Sequence, residues 1–513
     1  MRLLGLAVFA LAVAACAGAP SSSAGRDPAL VKIDTGELKG VAANDVMAFK
    51  GVPYAAPPVG ELRWKPTVRA AKWEEVRDAS SYGAICMQKK PNPDNGIGQY
   101  AASEDCLNLN VWTTEAKSGA KKPVMVWIHG GGFVNGSGNA DLYEGTELAK
   151  RGVVVVTINY RLGRLGSFAH PLLTAEAKGG PLANYGLMDS IAALEWVKRN
   201  IAAFGGDPKN VTIFGESAGG MQVNRLMISP NARGLFHKAI VQSGAGRERT
   251  QRLSVVSPAG FPSAESDGET FVTSLGVTAA SVADLRAIPA DKIIAAGDPS
   301  TFSGGGPIVD GKIFPMEVAE AFEKGLEAKV PYMIGSNSAE FPATAASVDA
   351  RLGAISPPKP GERATLEKLY PDVDTFAANI VGDIVFTEPA RYLAGLHAKH
   401  GNATYLYRFS VLSESVRGRL KGTTHAQERQ YVFDTLRTSP YLADANDAVQ
   451  ADHAGAYWTA FAKTGNPNGG AEPVWPAYST AKDELLEFTN DGPVAKPAPF
   501  VERWKALEAR YGK

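Results

Sequence analysis

Cysteine is nearly absent: three in 513 residues, at positions 16, 86 and 106. That excludes a disulfide-built scaffold. With no CxxC pair and no His/Cys cluster at ligand spacing, it also disfavours a structural zinc. Net charge is missing too. Fifty-three Lys and Arg balance 53 Asp and Glu, so no global field draws the chain to nucleic acid or an anionic bilayer. There is no internal repeat at solenoid or propeller period. What is present is 45% hydrophobic and 21% charged, an ordinary globular balance that excludes a disordered or collagen-like chain. The length suffices for a sizeable core and for an α/β fold carrying insertions.

Residues 3–15 (LLGLAVFALAVAA) carry no charge and follow Arg2. As a helix they span about 20 Å, too short to cross a membrane. The basic start and small-residue end predict a secretory signal peptide over 1–15. The segment closes Val13-Ala14-Ala15-Cys16, which resembles the lipobox of bacterial lipoproteins, where the cysteine becomes the lipidated N-terminus. The alternative is ordinary cleavage within the small-residue run 12–19, with Cys16 lost. Residues 16–29 then read as a flexible tether, ahead of a folded domain over 30–510. The expected location is periplasmic or cell-envelope, with a membrane tether if Cys16 is lipidated. In an exported chain the remaining pair, Cys86 and Cys106, reads as one disulfide closing a loop.

Short β-branched runs recur through the chain: 124–128 (VMVWI), 153–158 (VVVVTI), 211–214 (VTIF), 239–242 (AIVQ), 331–335 (PYMIG) and 404–409 (TYLYRF). Runs with so little polar interruption suit strands covered on both faces, as in a mostly parallel sheet. Between them, 187–203 carries apolar residues at helical spacing. Alternating strand and helix predicts an α/β sheet. The stretch 252–306 is richer in Ser, Ala, Gly and Pro, with weak helical patterns at 268–275 and 281–296, and reads as a helical insertion. Residues 342–363 are similarly loose, and 88–98 is a polar loop inside the proposed disulfide.

The chemistry gathers around Gly215-Glu216-Ser217-Ala218-Gly219, which follows the strand VTIF and precedes a helix-compatible MQVNRLMI. A serine there sits on a tight strand-to-helix turn, with a helix N-terminus behind it that favours developing negative charge. Upstream, His129-Gly130-Gly131-Gly132-Phe133 follows the strand VMVWI. Consecutive glycines let backbone N–H groups face a cavity, so Gly131, Gly132 and Ala218 are candidate oxyanion donors. A serine nucleophile needs a base and an orienting acid downstream. His397, His400, His425 and His453 all qualify by chain order, and spacing does not choose among them.

Together these residues make the chain resemble the type-B carboxylesterase family, which also contains the cholinesterases. The resemblance runs from about residue 30 to about residue 505. It includes 49–55 (FKGVPYA), 104–107 (EDCL), 204–208 (FGGDP) leading into GESAG, 458–469 (WTAFAKTGNPNG) and 475–478 (WPAY). It implies an α/β-hydrolase fold, a central mostly parallel sheet with helical insertions forming a gorge. It assigns the acid to Glu340 within 335–340 (GSNSAE) and the base to His425 within 422–433 (GTTHAQERQYVF). The implied activity is hydrolysis of a small-molecule carboxylic ester by a Ser217–His425–Glu340 triad, through an acyl-enzyme, with no metal or cofactor. Acyl and alcohol preference and oligomeric state are encoded in no motif.

Departures from the family pattern are Ala339, where an aspartate is usual, and Phe341, where a glycine is usual. The Cys86–Cys106 loop holds no tryptophan, so cation–π binding of a choline headgroup is not supported. Two further matches, Ser118-x-x-Lys121 and Lys463-Thr464-Gly465, belong to β-lactamase-type sites. Ser118 lies in a polar loop and the second match falls inside FAKTGNPNG, so both are taken as chance. The alternative function is a catalytically inactive binding or adhesion module, since this fold also hosts those.

Overall fold

The computed structural model describes residues 27–89, 100–470 and 473–511. The expected signal segment, Cys16 and most of the polar loop 88–98 lie outside the described residues. An eleven-stranded sheet forms the centre, and its strands in chain order are β1 Val41–Ala43, β2 Val46–Pro53, β3 Asn108–Thr113, β4 Lys122–Ile128, β5 Val154–Ile158, β6 Gly206–Glu216, β7 Lys238–Gln242, β8 Tyr332–Asn337, β9 Thr404–Phe409, β10 Glu484–Thr489 and β11 Gly492–Pro497. In space they run β11-β10-β9-β8-β7-β6-β4-β5-β3-β2-β1. From β5 through β10 every neighbouring pair is parallel, and the outer strands on both edges are antiparallel. This is an α/β-hydrolase fold.

The two-residue period of the strands explains why their sequences are almost wholly apolar. Val124, Val126 and Ile128 face one core with Ile213, Val241 and Ile334. Met125 and Trp127 face the other, with Phe214, Ile240 and Met333. Helices cover both faces: α1 Tyr185–Asn200, α2 Ala218–Ile228, α3 Val373–Gly382, α4 Glu388–Lys399 and α5 Ala445–Thr464. The first four pack on the first core. Helix α5 brings Tyr457, Trp458 and Phe461 against the second.

All six strands read from the sequence are present, and 187–203 is a helix that tightens into a 3₁₀ turn at Ile201–Phe204. The edge strands β2, β3, β10 and β11 escaped notice for physical reasons. In β3, Asn108 and Asn110 interrupt the apolar run, yet both are buried and paired: Asn110 Nδ2 donates to the side chains of Asn139 and Thr157 at 3.0 and 2.9 Å. Strand β2 changes register between Phe49 and Val52, which breaks its alternation. The insertion 252–306 is helical as expected over Ala264–Ser274, while 281–296 splits into Val282–Arg286 and Ala290–Ala296 on either side of Pro289. The stretch 342–363 contains the helix Val348–Ile355 and the start of a second, Glu362–Glu367.

Cys86 and Cys106 form a disulfide across a sequence separation of 20. Closing a loop of that size restricts the unfolded chain by about 3 kcal/mol. The Cys86→Ala/Cys106→Ala double variant is therefore expected to lose about 3 kcal/mol of stability in denaturant unfolding; an unchanged midpoint would contradict that.

Candidate active site

Every loop of the site leaves the carboxyl end of a parallel strand, the edge where open α/β sheets gather their functional groups. Ser217 stands between the end of β6 and the start of α2. Its backbone is at φ 55°, ψ −125°, a region that costs a side-chain-bearing residue of order 1–3 kcal/mol. The turn is held from both sides. Ser217 N–H donates to the Gln242 carbonyl at 2.9 Å, and Met221 N–H donates to the Ser217 carbonyl at 2.8 Å. Two residues on, a Cβ at Gly219 would lie 2.0 Å from the Ile128 carbonyl oxygen. Only glycine lets α2 begin against the end of β4.

His425 reaches this serine from the long loop after β9. Its Nε2 lies 2.9 Å from Ser217 Oγ and its Nδ1 lies 2.6 Å from Glu340 Oε2. Glu340 follows the end of β8 and is fixed by two donors on its other oxygen, Asn337 N–H at 2.6 Å and Ser243 Oγ at 2.5 Å. The His425 N–H donates to the Glu340 carbonyl at 2.8 Å, so the two loops are joined by backbone as well as side chain. Phe386 stacks on the imidazole with centroids 4.8 Å apart, and Phe341 packs against it at 4.5 Å. The departure at Phe341 thus supplies a wall for His425. Ala339 is buried, and its N–H donates to the Thr423 carbonyl at 2.9 Å.

The other histidines are engaged elsewhere. His397 and His400 share Glu327, at 3.1 and 3.0 Å, and His453 lies within α5. His129 is buried against Tyr160, and burial pushes its imidazole down to about 4. Ser118 sits in the turn between β3 and β4, and Lys463 at the end of α5, neither in the cavity described next.

A cavity of about 260 Å³ opens over the serine, lined by Gly131, Gly132, Ser217, Ala218, Phe341 and His425 among others. Thr301 and Phe302, from the 252–306 insertion, close one side. Thr301 Oγ1 donates to the Gly132 carbonyl at 2.9 Å. Gly131 holds φ +110°, and a Cβ there would lie 2.1 Å from the Asn135 carbonyl oxygen, so the loop requires glycine. Ala218 is the first residue of α2, where a helix N–H has no intrahelical acceptor. Gly131, Gly132 and Ala218 thus line the same cavity as Ser217.

Two carboxyls passed over in the sequence stand beside the imidazole. Glu216 Oε1 lies 3.2 Å from His425 Nε2. Glu428, three residues after His425, accepts from Gln242 Nε2 at 2.9 Å and Asn337 Nδ2 at 2.6 Å. Both are fully enclosed. Burial pushes Glu216 up to about 7, against the pull of His425 and Arg429, and burial likewise raises Glu428. For His425, burial favours the neutral ring, but Glu216, Glu340 and Glu428 together outweigh it and hold the imidazole above its ordinary value. The signal in the sequence was slight: Glu216 lies inside the serine motif, and Glu428 is three residues beyond the histidine.

Comparison with known proteins gives a consistent result. A family model described as "Carboxylesterase family" matches residues 27–357 and 366–500. The fumonisin B1 esterase of Sphingopyxis macrogoltabida is 34% identical over 484 residues, covering 90% of this chain and 87% of that one. The para-nitrobenzyl esterase of Bacillus subtilis (strain 168) is 36% identical over 505 residues, covering 94% and 99%. A solved structure of a PNB esterase superposes with a TM-score of 0.80 at 33% identity, covering 94% of this chain and 100% of that one.

The carboxyls around the ring generate a titration prediction. The His425 imidazole resonances, followed by NMR, are expected to titrate with a midpoint above 6.5, the ordinary value. Replacing Glu216 by Gln removes the strongest attraction for the charged ring, so the midpoint should move down. An upward or absent shift would mean that Glu216 does not stabilise the imidazolium.

Proposed function

The chain belongs to the carboxylesterase family, and from that premise we propose how its residues divide the hydrolysis of a carboxylic ester. The protein is a serine carboxylesterase, an enzyme that hydrolyses small-molecule esters. The observation that carries the assignment of roles is the unbroken hydrogen-bonded line from Glu340 through His425 to Ser217.

His425 Nε2 takes the Ser217 proton as Oγ attacks the ester carbonyl. Glu340 holds the ring through Nδ1 and stabilises the imidazolium, and Glu216 lies within reach of the transferred proton. The carbonyl oxygen becomes an oxyanion, received by the N–H groups of Gly131, Gly132 and Ala218. When the tetrahedral intermediate collapses, Nε2 returns its proton to the leaving alcohol and Ser217 remains acylated. Water then enters, loses a proton to Nε2 and attacks the acyl carbonyl. The proton passes to Ser217 Oγ as the carboxylic acid leaves. Because the base must be neutral, activity falls toward acid as His425 protonates.

We further propose that the protein is exported, and tethered to a membrane if Cys16 is lipidated. The support is the apolar run 3–15 with its Val-Ala-Ala-Cys ending, and the Cys86–Cys106 disulfide, a bond favoured in oxidising compartments.

Hydrolysis of a short-chain nitrophenyl ester should be lost in Ser217→Ala, which should also escape labelling by a serine-reactive phosphonate; equal turnover by the variant would remove the mechanism. Gly131→Ala, which forces the loop off its φ, should lower kcat by about 100- to 1,000-fold, the range for losing one oxyanion donor. For export, the mass of the mature N-terminus decides: a lipidated residue 16 is expected, and an unmodified residue beyond 16 would end the tether proposal.

A further inference from the structure

Behind the catalytic cavity lies a second one of about 80 Å³, and the two share Phe302. Ile384 and Val385 line the second cavity, and the next residue, Phe386, lines the first. Phe302 and the segment 384–386 thus border both cavities.

The second cavity is basic. Arg247, Arg249, Lys359 and Arg510 all line it, against a single acidic residue, Glu248. That acid is already committed: Oε1 accepts from Arg225 Nη2 at 2.8 Å and Oε2 from Gly246 N–H at 2.8 Å. Arg510 is matched by Glu362 at 2.8 Å. Arg249 and Lys359 are exposed and pair with no carboxylate among the described residues. Arg247 is the informative member. Its side chain is only 4% exposed and lies over the rings of Tyr392 and Tyr511 at 3.4 and 4.3 Å. Nη2 is 3.1 Å from Glu388 Oε1, yet Nε and Nη2 have no aligned hydrogen-bond acceptor among the described residues. Burial pushes Glu388 up to about 8, against the pull of Arg247. A cavity lined by four cations and one committed carboxylate, with two of those cations unpaired on its rim, is a site that favours an anion.

Size narrows the ligand. A water-sized group takes about 10–15 Å³ on this measure, so the cavity holds a carboxylate and a few methylenes, and Ile355, Ile384 and Val385 provide apolar contact for such a stem. The catalytic cavity does not offer the same reception. Its cation, Arg429, donates to Tyr143 Oη and the Ala426 carbonyl and faces Glu216. A free carboxylate beside Ser217 would meet the glutamates around His425.

We propose that the basic cavity is a subsite for the distal carboxylate of an anionic ester, the monoester of a dicarboxylic acid whose esterified carbonyl lies at Ser217. The acyl chain runs past Phe302, leaving its charged end among Arg247, Arg249 and Lys359. This rests on the esterase reading and specifies its substrate class.

The test compares p-nitrophenyl monoesters of dicarboxylic acids, succinate through suberate, with neutral p-nitrophenyl alkanoates of matched length. The ratio of kcat/KM, anionic over neutral, should peak at one chain length and decline with added salt, which screens an exposed rim. In Arg249→Gln/Lys359→Gln that peak ratio should fall by about fivefold, the scale of losing two partly exposed ion pairs. A ratio that declines steadily with no peak, or a peak unaffected by the double variant, overturns the subsite. If the variant does not fold, a salt-independent ratio in the wild type overturns it equally. Failure of the esterase reading looks different: no p-nitrophenol from the neutral esters, or as much from Ser217→Ala as from wild type.

Discussion

Ser217 occupies a backbone conformation that a serine does not adopt unaided, and much of the molecule around it keeps it there. The strain of order 1–3 kcal/mol is opposed by the hydrogen bond from Ser217 N–H to the Gln242 carbonyl and by the helix that starts at the next residue. That helix begins where it does because Gly219 lets it touch the backbone of β4. Strands β4, β6 and β7 are adjacent and parallel, so one packing decision fixes the serine turn, the Gly130–Gly132 loop and the Gln242 acceptor together. The result is an Oγ presented to a cavity while nearly everything around it is buried.

Burial also sets the electrostatics. Enclosed carboxyls are costly unless they are hydrogen-bonded or share charge with a partner, and here Glu340, Glu216 and Glu428 share one imidazole and one guanidinium. Glu340 is satisfied by Asn337 and Ser243, and Glu428 by Asn337 and Gln242. Asn337 therefore bridges the two, with its backbone N–H on one acid and its side chain on the other. Glu216 has the imidazole and Arg429 as countercharges, yet its burial outweighs them and raises it toward neutrality. The arrangement makes His425 more basic than an isolated imidazole while leaving it within reach of the serine proton.

The walls of the catalytic cavity come from parts of the chain with the weakest sequence patterns. Phe302 and Thr301 belong to the Ser- and Gly-rich insertion, Phe341 follows the acid on the loop after β8, and Phe386 lies on a π-turn between α3 and α4. Phe341 and Phe386 pack on the imidazole, and Phe302 packs on Phe341. That gives the site an apolar approach to a polar centre, and Phe302 lines the basic cavity as well.

The sequence by itself determined what is local. Unbroken β-branched runs mark strands covered on both faces, and the Gly-rich turns at 130–132 and 215–219 answer steric demands that act over a few residues. The resemblance to carboxylesterases was legible because many such local motifs occur in order. Four downstream histidines stayed equivalent by spacing, and the resemblance, not the pattern, singled out His425. Tertiary structure decided that Glu216 joins Glu340 beside the ring, because contacts between residues so distant in the chain depend on how strand ends are stacked. The same holds for the edge strands, whose buried asparagines read as polar until their partners are in place. It holds too for the basic cavity, where Arg247 from the segment after β7, Lys359 from the stretch 342–363 and the C-terminal Arg510 come together only in the fold. Side-chain chemistry is written in sequence; the dielectric and the neighbours that tune it are set by packing.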